Sequence, residues 1–338
     1  MINNLGSDPH NALALISGGL DSLLAAKVIL NQGISVEGIH FFTGFTPSTH
    51  LMCKKAQIDQ TDRLTRIENQ LGIPIHRVNI VEKYKPIVFH PKYGYGSKQV
   101  NPCLDCKILM VTRALEWALQ HHFDFVVTGE VIGQRPMTQR RDTLNIVARD
   151  ADARDRILRP LCAKCLSETL PEREQWVDRN QLYDFNGRSR KPQIALAKQF
   201  GFKDFPLPSG DCCFLIDPNF AKRWLDFKQY HHDYTVDDIA RLKVGRHIRL
   251  NERCKIIMGR DECENNFLER YADRMIQMYT INFTGPLVLL DGEPTKEDLE
   301  LAARMTVKFG HGRYEDHVRV ELNEHGKEKK ILIVKPAC

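Results

Sequence analysis

Two short strings in this sequence combine side chains and backbone suited to chemistry. The first is Ser17-Gly18-Gly19-Leu20-Asp21-Ser22, which follows an apolar run at 12–16 and precedes a leucine- and alanine-rich stretch at 20–30. A strand that delivers glycines into the first turn of a helix aims several backbone N–H groups, with the helix dipole behind them, at one point. That point suits a phosphate. The glycines let the backbone approach closely, Ser17 and Ser22 carry hydroxyl donors, and Asp21 is a ligand for the Mg2+ that nucleotide phosphates bring. A chance Ser-Gly-Gly turn is the ordinary alternative, but the full six-residue string between a strand and a helix is not ordinary. No Gly-Lys-Ser/Thr follows it, so it is not a Walker loop.

The second string is Asn101-Pro102-Cys103-Leu104-Asp105-Cys106-Lys107, a C-x-x-C placed just ahead of an expected helix at 106–120. That spacing presents both sulfurs on one side, near a helix N-terminus whose dipole is expected to lower thiol pKa. Further on, Ser209-Gly210-Asp211-Cys212-Cys213-Phe214 supplies another cysteine pair, and Cys162-Ala163-Lys164-Cys165 a second C-x-x-C. Four thiolates drawn from these pairs could hold a structural zinc. Against that, Cys162 and Cys165 interrupt an apolar segment and read equally as buried small hydrophobes. Cys53, Cys254, Cys263 and Cys338 have no spacing partner and receive no role.

The elements that must position these strings follow from apolar periodicity. Buried strands are expected at 12–16, 35–42, 75–80 and 124–128, with helices at 20–30, 53–71 and 106–120 between them. Strands alternating with helices imply an α/β fold, a parallel sheet with helices on both faces and ligands beyond the carboxyl ends of the strands. From 135 to 217, Pro160, Pro171, Pro192, Pro206 and Pro208 break the pattern into what reads as an accessory lobe. Beyond Pro218 a helix at 220–230 and short strands at 247–250, 255–258, 287–290, 318–322 and 331–334 suggest a separate α+β module.

With 338 residues, 42% hydrophobic and 27% charged, the chain has a globular composition and exceeds one ordinary core. The expected division is 1–150, 151–230 and 231–338. No apolar run reaches the ~20 residues of a membrane span, and the opening residues lack signal-peptide character. A cytoplasmic location without membrane contact is the expectation. Ten cysteines in a reducing compartment then point to thiolate chemistry or metal binding and away from a disulfide framework. Residues 135–198 hold 14 Lys and Arg against 9 Asp and Glu, an excess equal to the +5 of the whole chain. That stretch is the expected nucleic-acid face, with a plain solvated surface as the alternative.

The 17–22 string resembles the PP-loop of the N-type ATP pyrophosphatases, with an adenine nucleotide α-hydrolase-like domain. These enzymes attack the α-phosphate of ATP, release pyrophosphate and leave an adenylated substrate. The resemblance implies ATP and Mg2+ at Ser17, Gly18, Gly19, Leu20, Asp21 and Ser22, with Thr128 and Gly129 beside the nucleotide. The order PP-loop, Asn-Pro-x-x-x-Cys and Gly-x-Cys-Phe further resembles the tRNA 2-thiouridylases, the MnmA-like family, over roughly residues 12–225. On that resemblance Cys106 and Cys213 match the two reactive cysteines, and Arg159-Pro160-Leu161 with Lys164 resembles a Pro-Leu-x-x-Lys segment, giving Lys164 a catalytic charge.

Cys103 and Cys212 depart from that pattern. Together with Cys106 and Cys213 they resemble the cluster-dependent branch of tRNA thiolating enzymes, in which three cysteines hold a [4Fe-4S] cluster with one iron open to sulfide. A cluster-free pair, Cys106 carrying a persulfide and Cys213 resolving it, is the competing reading. The implied partners are tRNA and a sulfur donor, sulfide or a persulfide protein, and a homodimer is compatible with the sequence. A small-molecule substrate or a non-catalytic RNA-binding protein would be the other functions.

In the basic stretch, Gln134, Arg135, Arg140 and Arg141 leave the nucleotide edge directly, and Arg188, Arg190 and Lys191 form a compact basic turn. All seven are candidate RNA contacts. In the tail, Gly259-Arg260 with Asn265, then Gly285-Pro286 and Ala302-Ala303, resembles the NFACT RNA-binding domain over about 247–335. The tail is nearly neutral, with 21 basic and 20 acidic residues after residue 217, so RNA contact there must rest on local geometry.

Overall fold

The computed structural model describes residues 10–46, 63–96, 100–153, 155–202, 205, 212–324 and 327–336. The chain divides into two compact units at Ile216/Asp217.

In the first unit the chain runs β1 (Asn11–Leu15), α1 (Leu20–Leu30), β2 (Ser35–Phe42), α2 (Arg63–Leu71), β3 (Ile75–Asn79), α3 (Val81–Phe89), α4 (Cys103–Gln120) and β4 (Phe125–Thr128). It continues through α5 (Arg141–Asp150), β5 (Ile157–Leu158), α6 (Leu170–Arg173) and α7 (Lys191–Gln199). The five strands are all parallel, in the order β3-β2-β1-β4-β5. Alternate residues of β1 enter two cores. Ala12 and Ala14 pack with α1, α2 and α7, whereas Leu13 and Leu15 pack with α4 and α5. Because β1 is buried on both faces, it reads in sequence as an unbroken apolar run. Strand order reverses between β1 and β4, and the crevice outside their carboxyl ends is where such sheets bind ligands.

Several expectations need adjustment. Only 63–71 of the expected helix at 53–71 can be assessed, since 53–62 lie outside the described residues. Helix α4 starts at Cys103 and not at 106, because Pro102 serves as its N-cap and its fixed φ favours starting a helix. Helix α3 was not anticipated, as Pro86 lies inside it. Nor was α5, whose arginines hid an apolar stripe of Leu144 and Val147. In the stretch read as a lobe, β5 pairs with β4 at the sheet edge and α7 packs on α1.

The second unit contains α8 (Pro218–Tyr230), α9 (Val236–Lys243), β6 (Arg246–Asn251), β7 (Cys254–Met258), α10 (Glu262–Leu268), β8 (Ile276–Thr280), β9 (Val288–Gly292), α11 (Lys296–Lys308), β10 (Val318–Asn323) and β11 (Lys330–Val334). Its sheet is antiparallel, in the order β11-β10-β8-β9-β7-β6. Ala302, Ala303 and Val307 of α11 seal one face, and Phe267 and Leu268 of α10 join the core on the other. The small side chains of Ala302 and Ala303 are fully buried, which lets α11 lie close to the strands. The sequence reading missed β8, where Gln277 and Tyr279 alternate with apolar residues.

Gly129, immediately after β4, lies directly against the backbone of the first turn of α1. A Cβ there would lie 2.4 Å from the Asp21 carbonyl carbon and 2.5 Å from the Ser22 amide nitrogen. Both are backbone atoms and neither can rotate aside. Gly129→Ala is therefore expected to destabilise the chain by about 1–3 kcal/mol, the usual cost of overpacking, read as a lower urea midpoint. An unchanged midpoint would mean that the junction has slack.

Candidate active site

Beyond β1, Gly18 takes φ +83°, a left-handed conformation that favours glycine, and Gly19 is the extended N-cap of α1. Among the described residues no side chain caps α1, so its first-turn amides can serve a ligand. The two serines differ. Ser22 is buried; its hydroxyl donates to the Gly19 carbonyl at 2.8 Å and lies 3.3 Å from the Ser17 amide, so it closes the loop and does not face a ligand. Ser17 is exposed, with its hydroxyl 3.3 Å from that of Ser22. Leu20 is buried and can offer only its amide.

Two cations stand over this loop. A Cβ on Gly18 would lie 3.3 Å from the Arg63 Nε, and burial lowers the pKa of that guanidinium. Arg190 Nη2 lies 3.6 Å from Asp21 Oδ2. Sequence reading gave Arg63 no role, since α2 is remote in sequence, and assigned Arg190 to RNA.

Asp21 Oδ2 accepts a 2.7 Å hydrogen bond from Gln134 Nε2, while Oδ1 is buried without a hydrogen-bond partner among the described residues. An orphaned carboxylate oxygen beside open helix amides fits a hard cation such as Mg2+. Gln134 is itself buried, so it belongs to this site and not to an RNA surface. Thr128 is also buried and gives its hydroxyl to Glu130 Oε2 at 3.0 Å, which turns it away from a nucleotide. Glu130 lies 3.0 Å from Arg159 Nε and 3.5 Å from Lys107 Nζ. Burial pushes its pKa up, but the two cations outweigh burial and hold it below the usual value.

The thiols gather beside this frame. Cys103 and Cys106 occupy the first turn of α4, whose start is pinned where Asp105 accepts the Lys92 and Tyr93 amides at 2.9 and 3.0 Å. Asn101 Nδ2 donates to Cys103 Sγ at 3.3 Å, and the hydroxyl of fully buried Tyr84 bonds to Cys106. The Phe214 amide donates to the Phe45 carbonyl at 2.9 Å and fixes the Cys212-Cys213 turn to the loop after β2. Cys103, Cys106, Cys212 and Cys213 all lie within electrostatic reach of one another.

The expected dipole-lowered pKa at Cys103 and Cys106 is not found. Burial outweighs the dipole and raises both, Cys106 to about 12. The thiol of the group that ionises most readily is Cys212. A hydrogen bond from Cys213 lowers its pKa to about 6, with help from Arg135 and Lys107. Cys213 moves the opposite way, well above its ordinary value. Four thiols in one place are the right donors for an iron–sulfur cluster, although no three His, Cys, Asp or Glu side chains among the described residues stand at metal-ligand spacing.

Cys162 and Cys165 are elsewhere. Their sulfurs donate to the Glu130 and Asp184 carbonyls, both at 3.2 Å, which accounts for them as packed thiols. Lys164 is exposed and its Nζ donates to the Asn180 carbonyl at 2.8 Å, an engagement that does not bring it to the loop. Arg135 lies within electrostatic reach of Cys103 and Cys212. Arg140 pairs with Asp142, and Arg141 donates to the Cys165 carbonyl at 2.9 Å. Arg188 is exposed on the turn before α7, and Lys191 is exposed as the first residue of that helix. Consecutive residues therefore join the two halves of the site: Gln134 reaches the phosphate loop and Arg135 reaches the thiols.

Residues 10–157 match the family model described as tRNA methyl transferase HUP domain, and residues 245–338 that described as NFACT protein RNA binding domain. Among curated relatives, the tRNA-specific 2-thiouridylase MnmA of Acidothermus cellulolyticus is 32% identical over 123 residues, 35% of this chain and 34% of the relative. The enzyme of the same name from Nocardioides sp. is 27% identical over 70% of this chain and 64% of its own length. A probable tRNA sulfurtransferase of Geobacillus kaustophilus is 26% identical over 67% of this chain and 48% of its own. The chain thus spans between about a third and two-thirds of the length of these relatives. A solved 4-thiouridine synthetase–RNA complex with bound ATP covers 69% of this chain and 52% of its own at 18% identity and TM-score 0.38, too low to carry residue equivalences. The chain joins a parallel α/β domain matching the tRNA methyl transferase HUP family to an antiparallel domain matching the NFACT RNA-binding family.

Proposed function

We propose that this chain is an ATP-dependent tRNA sulfurtransferase that activates a uridine carbonyl by adenylation and replaces its oxygen with sulfur. The observation that supports this reading is the joining of a phosphate loop to a group of four mutually interacting thiols by consecutive residues, Gln134 and Arg135. An enzyme that only hydrolyses or transfers AMP has no need of converging thiols, and one that only moves sulfur has no need of the loop.

In the proposed reaction the triphosphate lies on the first-turn amides of α1, with Arg63 and Arg190 beside it. Mg2+ held at Asp21 would neutralise phosphate charge. The uridine carbonyl oxygen attacks the α-phosphorus, the bond to the bridging oxygen breaks, and pyrophosphate leaves against the amides and arginines. A sulfur nucleophile from the thiol pocket then bonds to the activated carbon. AMP departs with the former carbonyl oxygen. The exposed Arg140, Arg141, Arg188 and Lys191 would grip RNA phosphates, and the second unit adds a domain of RNA-binding type.

For the sulfur itself, Cys103, Cys106 and one of Cys212 and Cys213 would hold a [4Fe-4S] cluster, which would supply Lewis-acidic chemistry toward sulfide. The Cys212 thiolate favours a second reading, a cysteine persulfide resolved by a neighbouring thiol. Chain purified without oxygen is expected to be brown, with iron and acid-labile sulfide, and Cys106→Ala is expected to remove both colour and thiolation. Colourless, iron-free protein with full activity would leave only the persulfide route.

The activity is tested by incubating the chain with ATP, Mg2+, tRNA and either sulfide or a persulfide donor, then measuring AMP, pyrophosphate and thiolated nucleosides by mass spectrometry. The expected result is tRNA-dependent release of AMP with a thiolated uridine. Turnover indifferent to tRNA would indicate a small-molecule substrate, and no turnover with any RNA would reduce the chain to a binding protein.

The thiol chemistry has its own pH signature. In metal-free chain, iodoacetamide is expected to label Cys212 at a rate that rises through pH about 6 and levels off by neutrality, since the lowered pKa leaves it ionised above that point. Cys106, raised to about 12, should stay unlabelled under the same conditions. A Cys212 rate still climbing near pH 9 would contradict the thiolate assignment.

A further inference from the structure

We propose that Gln193 and Gln134 form a two-amide relay that orients Asp21 toward the metal accompanying a nucleotide, making both of them positioning residues. The proposal rests on the reading of the 17–22 loop as a nucleotide site. Gln193 lies on α7, is 0% exposed, and donates from Nε2 to Gln134 Oε1 at 2.9 Å; Gln134 Nε2 in turn donates to Asp21 Oδ2 at 2.7 Å.

One rule fixes the direction of the whole relay. An ionised carboxylate only accepts hydrogen bonds, so Gln134 must turn its NH2 to Asp21. Its carbonyl then faces Gln193, which must answer with an N–H. The consequence is that Gln193 Oε1 is left buried without a hydrogen-bond partner among the described residues. A leucine or methionine at this position, beside buried Leu196 and Ala197, would remove that orphan but strand Gln134 Oε1 in its place. A buried polar atom without a partner calls for a reason, and the reason is at the other end. With Oδ2 committed to Gln134 and flanked by Arg190 at 3.6 Å, Asp21 is left with Oδ1 alone to offer a cation. Because Arg190 directly precedes α7, one helix sets both the carboxylate's orientation and a nearby positive charge.

The test is ATP binding by the full chain, measured by calorimetry across a Mg2+ series, with a melting curve for each variant. In Gln193→Leu the Mg2+ concentration for half-maximal ATP binding is expected to rise roughly 3- to 10-fold, the equilibrium factor carried by one hydrogen bond. Its melting temperature should stay close to that of the parent, since one orphaned oxygen, Gln193 Oε1, is exchanged for another, Gln134 Oε1. Gln193→Met, unbranched and closer in shape, should behave alike and serves if the leucine fails to fold. A variant that binds ATP with the parent's Mg2+ dependence would overturn the relay alone, whether or not its melting temperature falls. A parent chain without Mg2+-dependent ATP binding would overturn the nucleotide reading and the relay with it.

Discussion

The structure of the first unit depends on one backbone contact, the approach of Gly129 to the first turn of α1. It brings the ends of β1 and β4 together at the point where strand order reverses, with no side chain between them. From there the chain after β4 has only a few residues in which to reach its targets. Gln134 meets Asp21 and Arg135 approaches the thiols because Gly129 has already set the chain against the loop. A bulkier residue at 129 would displace that segment from both targets at once.

Charge in this region follows the same economy. Glu130 is a buried carboxylate held by Arg159 and Lys107, and Lys107 also lies within electrostatic reach of Cys106 and Cys212. Removing one member of such a buried pair typically costs about 3–5 kcal/mol, because the other is left uncompensated. The anchor and the thiol electrostatics are therefore not separable. Burial keeps Cys103 and Cys106 protonated, and whatever they bind as thiolates must first displace a proton. Arg135 and Lys107 supply the positive field that favours that loss.

The phosphate loop and the strands were legible in sequence because each rests on local information: glycine spacing, apolar runs and a helix start. Strand β2 and helix α1 fall at the expected residues, 35–42 and 20–30. What failed depends on contacts between distant segments. Gln134 reads as a polar surface residue until Asp21 and Gln193 are placed around it, 113 and 59 residues away. The C-x-x-C motif implied low thiol pKa values, since sequence reveals the helix dipole but not the burial that outweighs it. Lys164 matched a motif, yet the Asn180 carbonyl takes its ammonium. Arg63 had no local signal of any kind.

In the second unit the residues that suggested RNA binding turn out to build the fold. Asn265 Oδ1 accepts the Leu287 amide at 2.9 Å, and a Cβ on Gly259 would lie 2.1 Å from that same oxygen. The Gly-Arg string and the Gly-Pro turn are thus two sides of one latch, with the Arg260 guanidinium paired to Glu264. Other charges are spent inside as well: Lys255, only 2% exposed, lies 3.7 and 3.9 Å from Asp226 and Asp291, and Arg249 pairs with Asp226. A motif can therefore identify an RNA-binding domain without containing its RNA contacts. It fixes the scaffold of a unit that carries almost no net charge. For the RNA contact proposed above, such a unit would rely on shape and stacking more than on counterion release, the reverse of what the basic stretch at 135–198 allows.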